Sequence, residues 1–400
     1  MSGANASPTG RSHQEMSGAN ASPTGRSHQE MSGANASPTG RSHQEMSGAN
    51  ASPTGRSHQV MNGANASPTG RSHQVMKGKR VLVTGAGGFI GSHLAEALVE
   101  LGAAVRAFVH YRGNGSWGWL DRSPHKKRIE VVAGDVSDRN RVAAAMDGID
   151  TVFHLAALTG IPYSYHAPES YLRTNIEGTL NVLQAARGAG VERFVHTSTS
   201  EVYGTARYAP INEEHPLQGQ SPYSASKIGA DKLAEAFHLS FGVPVVTIRP
   251  FNAFGPRQSA RGVIPTIISQ SLSGETIRLG SLTPTRDFNY VSNTVDAFVR
   301  CAQSPMAIGK TFNVGSGNEI SIGDLVRRIG KLLGREIKIE KDPGRTRPPE
   351  SEVERLLADN TLARTILKWE PLVGLDDGLI RTTDWIRENL HEYRTNDYAV

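Results

Sequence analysis

The sequence predicts a doubly wound α/β fold, a parallel sheet with helices on both faces, followed by a smaller C-terminal α/β segment. Three observations carry this. From residue 80 to about residue 250, short apolar runs alternate with stretches of helical period, the pattern of parallel strands joined by crossover helices. The first run, Arg80-Val-Leu-Val-Thr84, passes through a glycine-rich turn into a helix marked by Leu94, Leu98 and Leu101 and stopped by Gly102. A later helix opens on Ser221-Pro222, a side-chain cap followed by a residue without the N–H that the first turn leaves unused.

Composition bounds the function. With 400 residues, 38% of them hydrophobic, the chain can bury a substantial core. The net charge of +5 is small, and Lys and Arg are scattered without a basic run or interleaved aromatics, which argues against nucleic acid as a partner. Cys301 is the single cysteine, so no internal disulfide forms; it fits a reducing compartment and reads as a small buried hydrophobe. No apolar run approaches the ~18 residues of a membrane helix, and the N-terminus lacks a basic-then-apolar signal pattern. The expectation is a soluble cytoplasmic protein.

Residues 1–75 are five copies of a fifteen-residue unit, Met-Ser-Gly-Ala-Asn-Ala-Ser-Pro-Thr-Gly-Arg-Ser-His-Gln-Glu, with small changes at Val60, Asn62 and Val75. The unit has no Leu, Ile or Phe, so ordering it would bury too little apolar surface to offset the lost entropy. It is read as a disordered tail without a catalytic part, with Met76 as a usable start. The expected division of the rest is a dinucleotide-binding domain over 76–250, with returning segments, and a mainly substrate-binding domain over 251–390. Among these elements, Val263-Ile-Pro-Thr-Ile-Ile268, Ile322 to Leu333 and Leu362 to Leu367 read as helices. No metal-ligand spacing occurs.

In the first domain, the turn Gly85-Ala-Gly-Gly88-Phe89-Ile90-Gly91 stands between a strand and a helix. In that context glycines let backbone N–H groups approach a pyrophosphate at the helix N-terminus, a Rossmann-like cofactor site. The second strand, Ala104 to Val109, ends on His110, Tyr111 and Arg112 rather than on a carboxylate. Arg112 suits a 2′-phosphate, which leaves NAD and NADP both open. The loop 116–121 carries Trp117 and Trp119 and is expected to pack over the cofactor. The strand Ile129 to Ala133 ends on Gly134-Asp135-Val136, where Asp135 can reach an adenine amino group. The strand Thr151 to His154 runs into Leu155-Ala156-Ala157, small enough to let a cofactor lie close. His154 is read as packed rather than catalytic. A helix over 169–189 precedes the strand Arg193 to His196.

That strand leads into Thr199-Ser200-Glu201-Val-Tyr-Gly, and the helix after it carries Tyr223 and Lys227. Four residues apart, the two side chains share a helical face. An ammonium beside a phenol favours the phenolate, which is expected to lower a pKa of about 10 and to create a base near neutral pH.

Gly85-x-x-Gly88-x-x-Gly91, Gly134-Asp135-Val136 and Tyr223-x-x-x-Lys227 together resemble the extended short-chain dehydrogenase/reductase family over about residues 77–390. Thr199-Ser200-Glu201 resembles its nucleotide-sugar 4,6-dehydratases. The stretches 116–121, 161–168 and 284–291 resemble the branch of legionaminic-acid-type pathways. The resemblance implies a UDP- or GDP-activated N-acetylglucosamine as substrate, a tightly held NAD or NADP recycled each turnover, and a homodimer paired through the helices 169–189 and 222–240. It implies Thr199, Ser200, Glu201, Tyr223 and Lys227 as the catalytic set, and Asn252 and Arg286 at the substrate, with Arg257 in the same stretch as Asn252; Arg347, in a Pro-rich loop with Arg345, reads equally as a second phosphate contact or as a solvated side chain. Many dehydratases carry Asp where this chain has Ser200, which keeps a UDP-glucuronate-type decarboxylase as an alternative; a 4-epimerase is the other, although such epimerases usually carry no Glu at position 201. A non-catalytic NAD(P)-sensing protein is the rival of another class; the retained Tyr223 and Lys227 argue against it.

Overall fold

The structure, a computed structural model, describes residues 76–393. The repeat tail and its expected disorder lie outside the described residues. Five strands are laid down in the order expected from the apolar runs: β1 (Arg80–Thr84), β2 (Ala104–His110), β3 (Ile129–Gly134), β4 (Thr151–His154) and β5 (Arg193–Thr197). Between them run α1 (Phe89–Glu100) and α2 (Arg139–Ala145), then the short helices α3 (Ile161–His166) and α4 (Pro168–Tyr171), and α5 (Gly178–Ala189). Asp138 caps α2 by accepting from the Asn140 and Arg141 N–H groups, a bond worth roughly 1 kcal/mol. After β5 come α6 (Pro222–Phe241) and β6 (Val245–Pro250). Ser221 and Ser224 cap the start of α6 reciprocally, and Gly242 ends it in the left-handed region.

With the edge strand β11 (Thr311–Val314), the strand order is β11-β6-β5-β4-β1-β2-β3 and all pairs are parallel. The edge strand arrives late. Between β6 and it lie β7 (Ala253–Phe254), α7 (Val263–Ser273), β8 (Thr276–Leu279), β9 (Thr285–Arg286), β10 (Asn289–Tyr290) and α8 (Val291–Gln303); β11 (Thr311–Val314) then returns to the sheet. The remainder is β12 (Ile320–Ser321), α9 (Ile322–Leu333), β13 (Lys338–Lys341) and α10 (Leu375–Glu388). Both faces of the sheet are covered, so its strands are continuous apolar runs. Val81, Val83, Phe153 and Val195 face one core with α1 and α8, and Leu82, Val152 and Phe194 face the other with α2, α5 and α6. Cys301 is fully buried in the first core, its thiol pushed up by desolvation. No helix among the described residues is long and apolar enough to cross a membrane.

Two expectations change in detail. The predicted helix over 169–189 is interrupted by a wide π turn at Leu172–Glu177. The reason is Asn175: buried, it turns its amide inward to bond both the N–H (2.8 Å) and the carbonyl (3.0 Å) of Leu158 and the Ser226 hydroxyl (2.9 Å), which an uninterrupted register would aim elsewhere. The predicted helix at 362–367 is likewise a wide turn, Ala363–Leu367.

Candidate active site

The carboxyl ends of β1, β4, β5 and β6 open into one cleft of about 840 Å³, at the place where parallel sheets bind ligands. Its floor begins at the glycine turn. Gly85 has φ +71°, and a Cβ there would stand 2.8 Å from the Ala156 nitrogen. At Gly91 a Cβ would meet the Gly85 carbonyl oxygen at 2.2 Å, so α1 starts closer to β1 than any side chain permits. Gly88 is different: its nearest neighbour would be Gly85 O at 3.2 Å. It is the N-cap of α1 and offers no side-chain cap, which leaves the first-turn N–H groups to the cleft. A diphosphate fits such an end.

The remaining cofactor candidates line the same cleft: Phe89, Ile90, Arg112, Asp135, Val136, Leu155, Ala156 and Ala157. Thr84 holds the 155–157 turn in place by accepting from the Leu155 and Ala156 N–H groups, both at 3.1 Å. With those lone pairs taken, its hydroxyl donates to His154 Nδ1 at 2.8 Å, and His154 Nε2–H then donates to Thr179 at 3.0 Å. His154 is therefore a neutral packed residue, its pKa held well below 6.5 by burial. Asp135 accepts from the Ser137 N–H and hydroxyl at 2.8 and 2.7 Å and lies 3.6 Å from His110 Nδ1; these contacts outweigh desolvation and keep its carboxyl below the usual range. The tryptophan loop divides. Trp117 lines the cleft, whereas Trp119 stacks edge-on against Trp385 of α10, centroids 5.3 Å apart.

Thr199, Ser200, Glu201, Tyr223 and Lys227 converge on the opposite wall. The segment after β5 forms one 3₁₀ turn, Ser200–Tyr203, capped by the Thr199 hydroxyl. The Tyr223 hydroxyl stands near the Thr199 side chain, and Lys227 donates to the Thr197 carbonyl at 2.7 Å. Here the structure corrects the sequence reading. Burial raises the Tyr223 pKa well above 10; the Thr199 hydrogen bond opposes this, and the nearby Glu201 charge adds to it. Desolvating a phenolate outweighs the Thr199 hydrogen bond, so in this structure the neutral phenol of Tyr223 is favoured. Lys227 is itself lowered to about 8 by burial.

The far end of the cleft is ionic. Arg286 Nη2 donates to Glu352 at 3.2 Å, Arg347 lies 3.6 Å from Glu352 and 3.8 Å from Glu201, and Asn252 beside them holds a buried Oδ1 without a hydrogen-bond partner. Asn252, Arg286 and Arg347 thus reach the cleft. Arg257 does not. Its guanidinium grips Glu96 of α1 with two bonds, at 3.0 and 3.1 Å, and Ser92 at 3.1 Å, a partner 161 positions away that spacing cannot reveal. Tyr171, Arg261 and Glu352 also line or flank the cleft without a motif to announce them; Tyr171 packs edge-on to Tyr223 with centroids 6.2 Å apart.

A family model described as GDP-mannose 4,6-dehydratase matches residues 82–382. The chain is 34% identical to the UDP-glucose 4-epimerase of Mycolicibacterium smegmatis, over 76% of this chain and 98% of that one. Among solved structures, the dTDP-glucose 4,6-dehydratase DesIV of Streptomyces venezuelae with NAD bound superposes with a TM-score of 0.72 at 30% identity, covering 79% of this chain and 99% of that one. A UDP-N-acetylglucosamine 4-epimerase of Methanobrevibacter ruminantium gives 0.71 at 30%, covering 78% and 100%. The glycine turn and the Tyr–Lys helix both lie inside the matched span, and the chain belongs to the GDP-mannose 4,6-dehydratase family of nucleotide-sugar dehydratases and epimerases, enzymes of the extended short-chain dehydrogenase/reductase type.

Proposed function

We propose that the chain is an NAD(P)-dependent 4,6-dehydratase of a nucleotide-activated N-acetylglucosamine, with uridine or guanosine as the base. The observation that carries the reading is the Glu201 carboxylate on the wall that also holds Thr199 and Tyr223. Tyr223 takes the proton of the sugar 4-hydroxyl while Thr199 holds the same oxygen. The glycine turn and the N-terminus of α1 would hold an NAD-type cofactor, which would supply hydride transfer from C4 to C6 and whose positively charged oxidised ring would favour the Tyr223 phenolate. Next to a C4 ketone the C5 proton is acidic, and Glu201 removes it. The 6-hydroxyl departs as water with the proton that Glu201 took from C5, relayed through Ser200, and C5 takes up a proton from solvent as the hydride returns to C6. Arg286 and Arg347 present planar forks to the diphosphate, and Asn252 adds an amide.

A second reading, 4-epimerisation, is favoured by Ser200: a hydroxyl is a weak acid for a departing water, and epimerisation needs Tyr223 and Thr199 but no acid there. Incubation with UDP- and GDP-N-acetylglucosamine separates the two by product mass, with loss of water for the first and unchanged mass with inverted C4 for the second. Glu201→Gln should slow water loss about 10²-fold or more yet permit C4 oxidation; full dehydration by this variant sinks the reading. A cytoplasmic homodimer paired through α5 and α6 goes with it, supported by Leu239 and Phe241 of α6, 74% and 46% exposed. Light scattering of the purified protein tests the pairing.

A further inference from the structure

Below the catalytic wall lies a buried charged cluster that none of the roles above uses. Asp231 stands one helical turn beyond Lys227 on the same face of α6, only 5% exposed. Its carboxylate accepts from Ser198 Oγ at 2.7 Å, from His196 Nε2 at 3.0 Å and from Arg249 Nη2 at 3.0 Å. Arg249, itself 6% exposed, extends the chain. Its Nη1 donates to the Tyr203 hydroxyl at 2.8 Å, which donates to Asn313 Oδ1 at 2.7 Å. Tyr203 closes the turn that carries Glu201.

Two things follow from this geometry. Lys227 and Asp231 bind consecutive residues at the end of β5, Thr197 and Ser198, so two turns of α6 clamp the strand from which the Thr199–Glu201 turn springs. Through Arg249 the same carboxylate also holds the far end of that turn. Asp231 thus ties the Glu201 turn to the Tyr223–Lys227 helix at both of its ends, beside the single bond that Lys227 makes.

The second consequence is electrostatic. Lys227 is buried, and the groups around it are Tyr223 and Asp231 on α6, His154 on β4, His196 and the Thr197 carbonyl on β5, and Arg249 on β6 behind Asp231. Glu201 and Tyr171 face Tyr223. Burial keeps both histidines below 6.5 and neutral, and Arg249 is a cation. Asp231 is the carboxylate that acts on Lys227.

We propose that Asp231 is a positioning residue of the reaction, the counter-charge that keeps Lys227 an ammonium and the clamp that holds the Glu201 turn to the Tyr223–Lys227 helix. The proposal rests on the reading of Tyr223 and Lys227 as the proton-transferring pair. Its test follows the lysine directly. The full chain, labelled at lysine Cε, is titrated by NMR, with the Lys227 resonance assigned by its loss in Lys227→Arg. The wild type should titrate near about 8. Asp231→Asn keeps the shape and removes the charge, and the midpoint should fall by about one unit or more, a tenfold loss of proton affinity. Asp231→Glu should restore it to within about half a unit. An unchanged midpoint in Asp231→Asn overturns the proposal. So does a rise toward the ordinary ~10.4, which is what loosened packing and admitted water would produce. Asp231→Leu, of similar size and without charge, is read by the same criterion where the amide variant does not accumulate folded. Absence of turnover with every sugar nucleotide would instead sink the catalytic reading and leave the lysine titration as it is.

Discussion

At the glycine-turn end of the cleft, backbone meets backbone: Gly91 lies against the Gly85 carbonyl, Gly85 against Ala156, and Gly87 would place a Cβ 2.5 Å from the Trp117 oxygen. At the opposite end, charge meets charge: Arg286, Arg347, Glu201 and Glu352 neutralise one another across segments far apart in the chain. The first end is rigid because nothing larger than hydrogen fits. The second is held by ion pairs that an incoming anion can redistribute. The difference teaches that the cofactor half is specified sterically, by backbone packed on backbone, and the substrate half electrostatically.

The contrast can be broken most sharply at Gly91. Gly91→Ala forces a methyl onto a backbone oxygen that has no room to retreat, and should cost about 3 kcal/mol together with loss of co-purifying cofactor. Gly88→Ala, with its 3.2 Å clearance, should keep the fold within about 1 kcal/mol and weaken cofactor retention alone. Denaturant melts and the absorbance of the purified protein read both; equal destabilisation by the two would show that the turn is not sterically specified. A smaller effect is expected at the ionic end. Glu352→Gln leaves Arg286 without its bonded carboxylate, at 7% side-chain exposure, and should lower ligand-free stability by about 1–2 kcal/mol. Added nucleoside diphosphate should then stabilise the variant more than the wild type. A thermal shift no larger than wild type would mean that the carboxylate does not compete with the ligand for the cations.

The mildest effect lies between the two ends. Lys227, lowered to about 8, binds fewer protons folded than unfolded in the window between about 8 and its ordinary ~10.4. Its unfavourable contribution is thus fully present below pH 8 and is relieved as pH rises through that window. Lys227→Met should melt a few degrees higher than wild type at pH 7, with the gap closing by about pH 10. A gap independent of pH would contradict the shift. Activity that needs the ammonium should decline over the same range in the wild type.

Much of this architecture is legible along the chain. Arg80–Thr84, Thr151–His154 and Ile322–Leu333 appear as the apolar periodicity predicts, because each is decided by the period of its own residues. The Ser221-Pro222 start is decided by the first turn of its own helix. Arg257 could not be read in this way, since its partner Glu96 lies on α1. Nor could Tyr171, which reaches Tyr223 from a separate short helix, or Glu352, whose turn is brought to the cleft by Ser351 bonding Tyr165 and the Gln220 carbonyl.

The sequence by itself determined the local backbone: where glycine admits close approach, where a helix begins, and that positions 223 and 227 share a face. Only the tertiary structure decided the charge states built on it. Tyr223 is a neutral phenol rather than a phenolate, and Lys227 depends on a carboxylate below the site, because burial and through-space charge depend on what surrounds a group in three dimensions, which spacing along the chain does not encode.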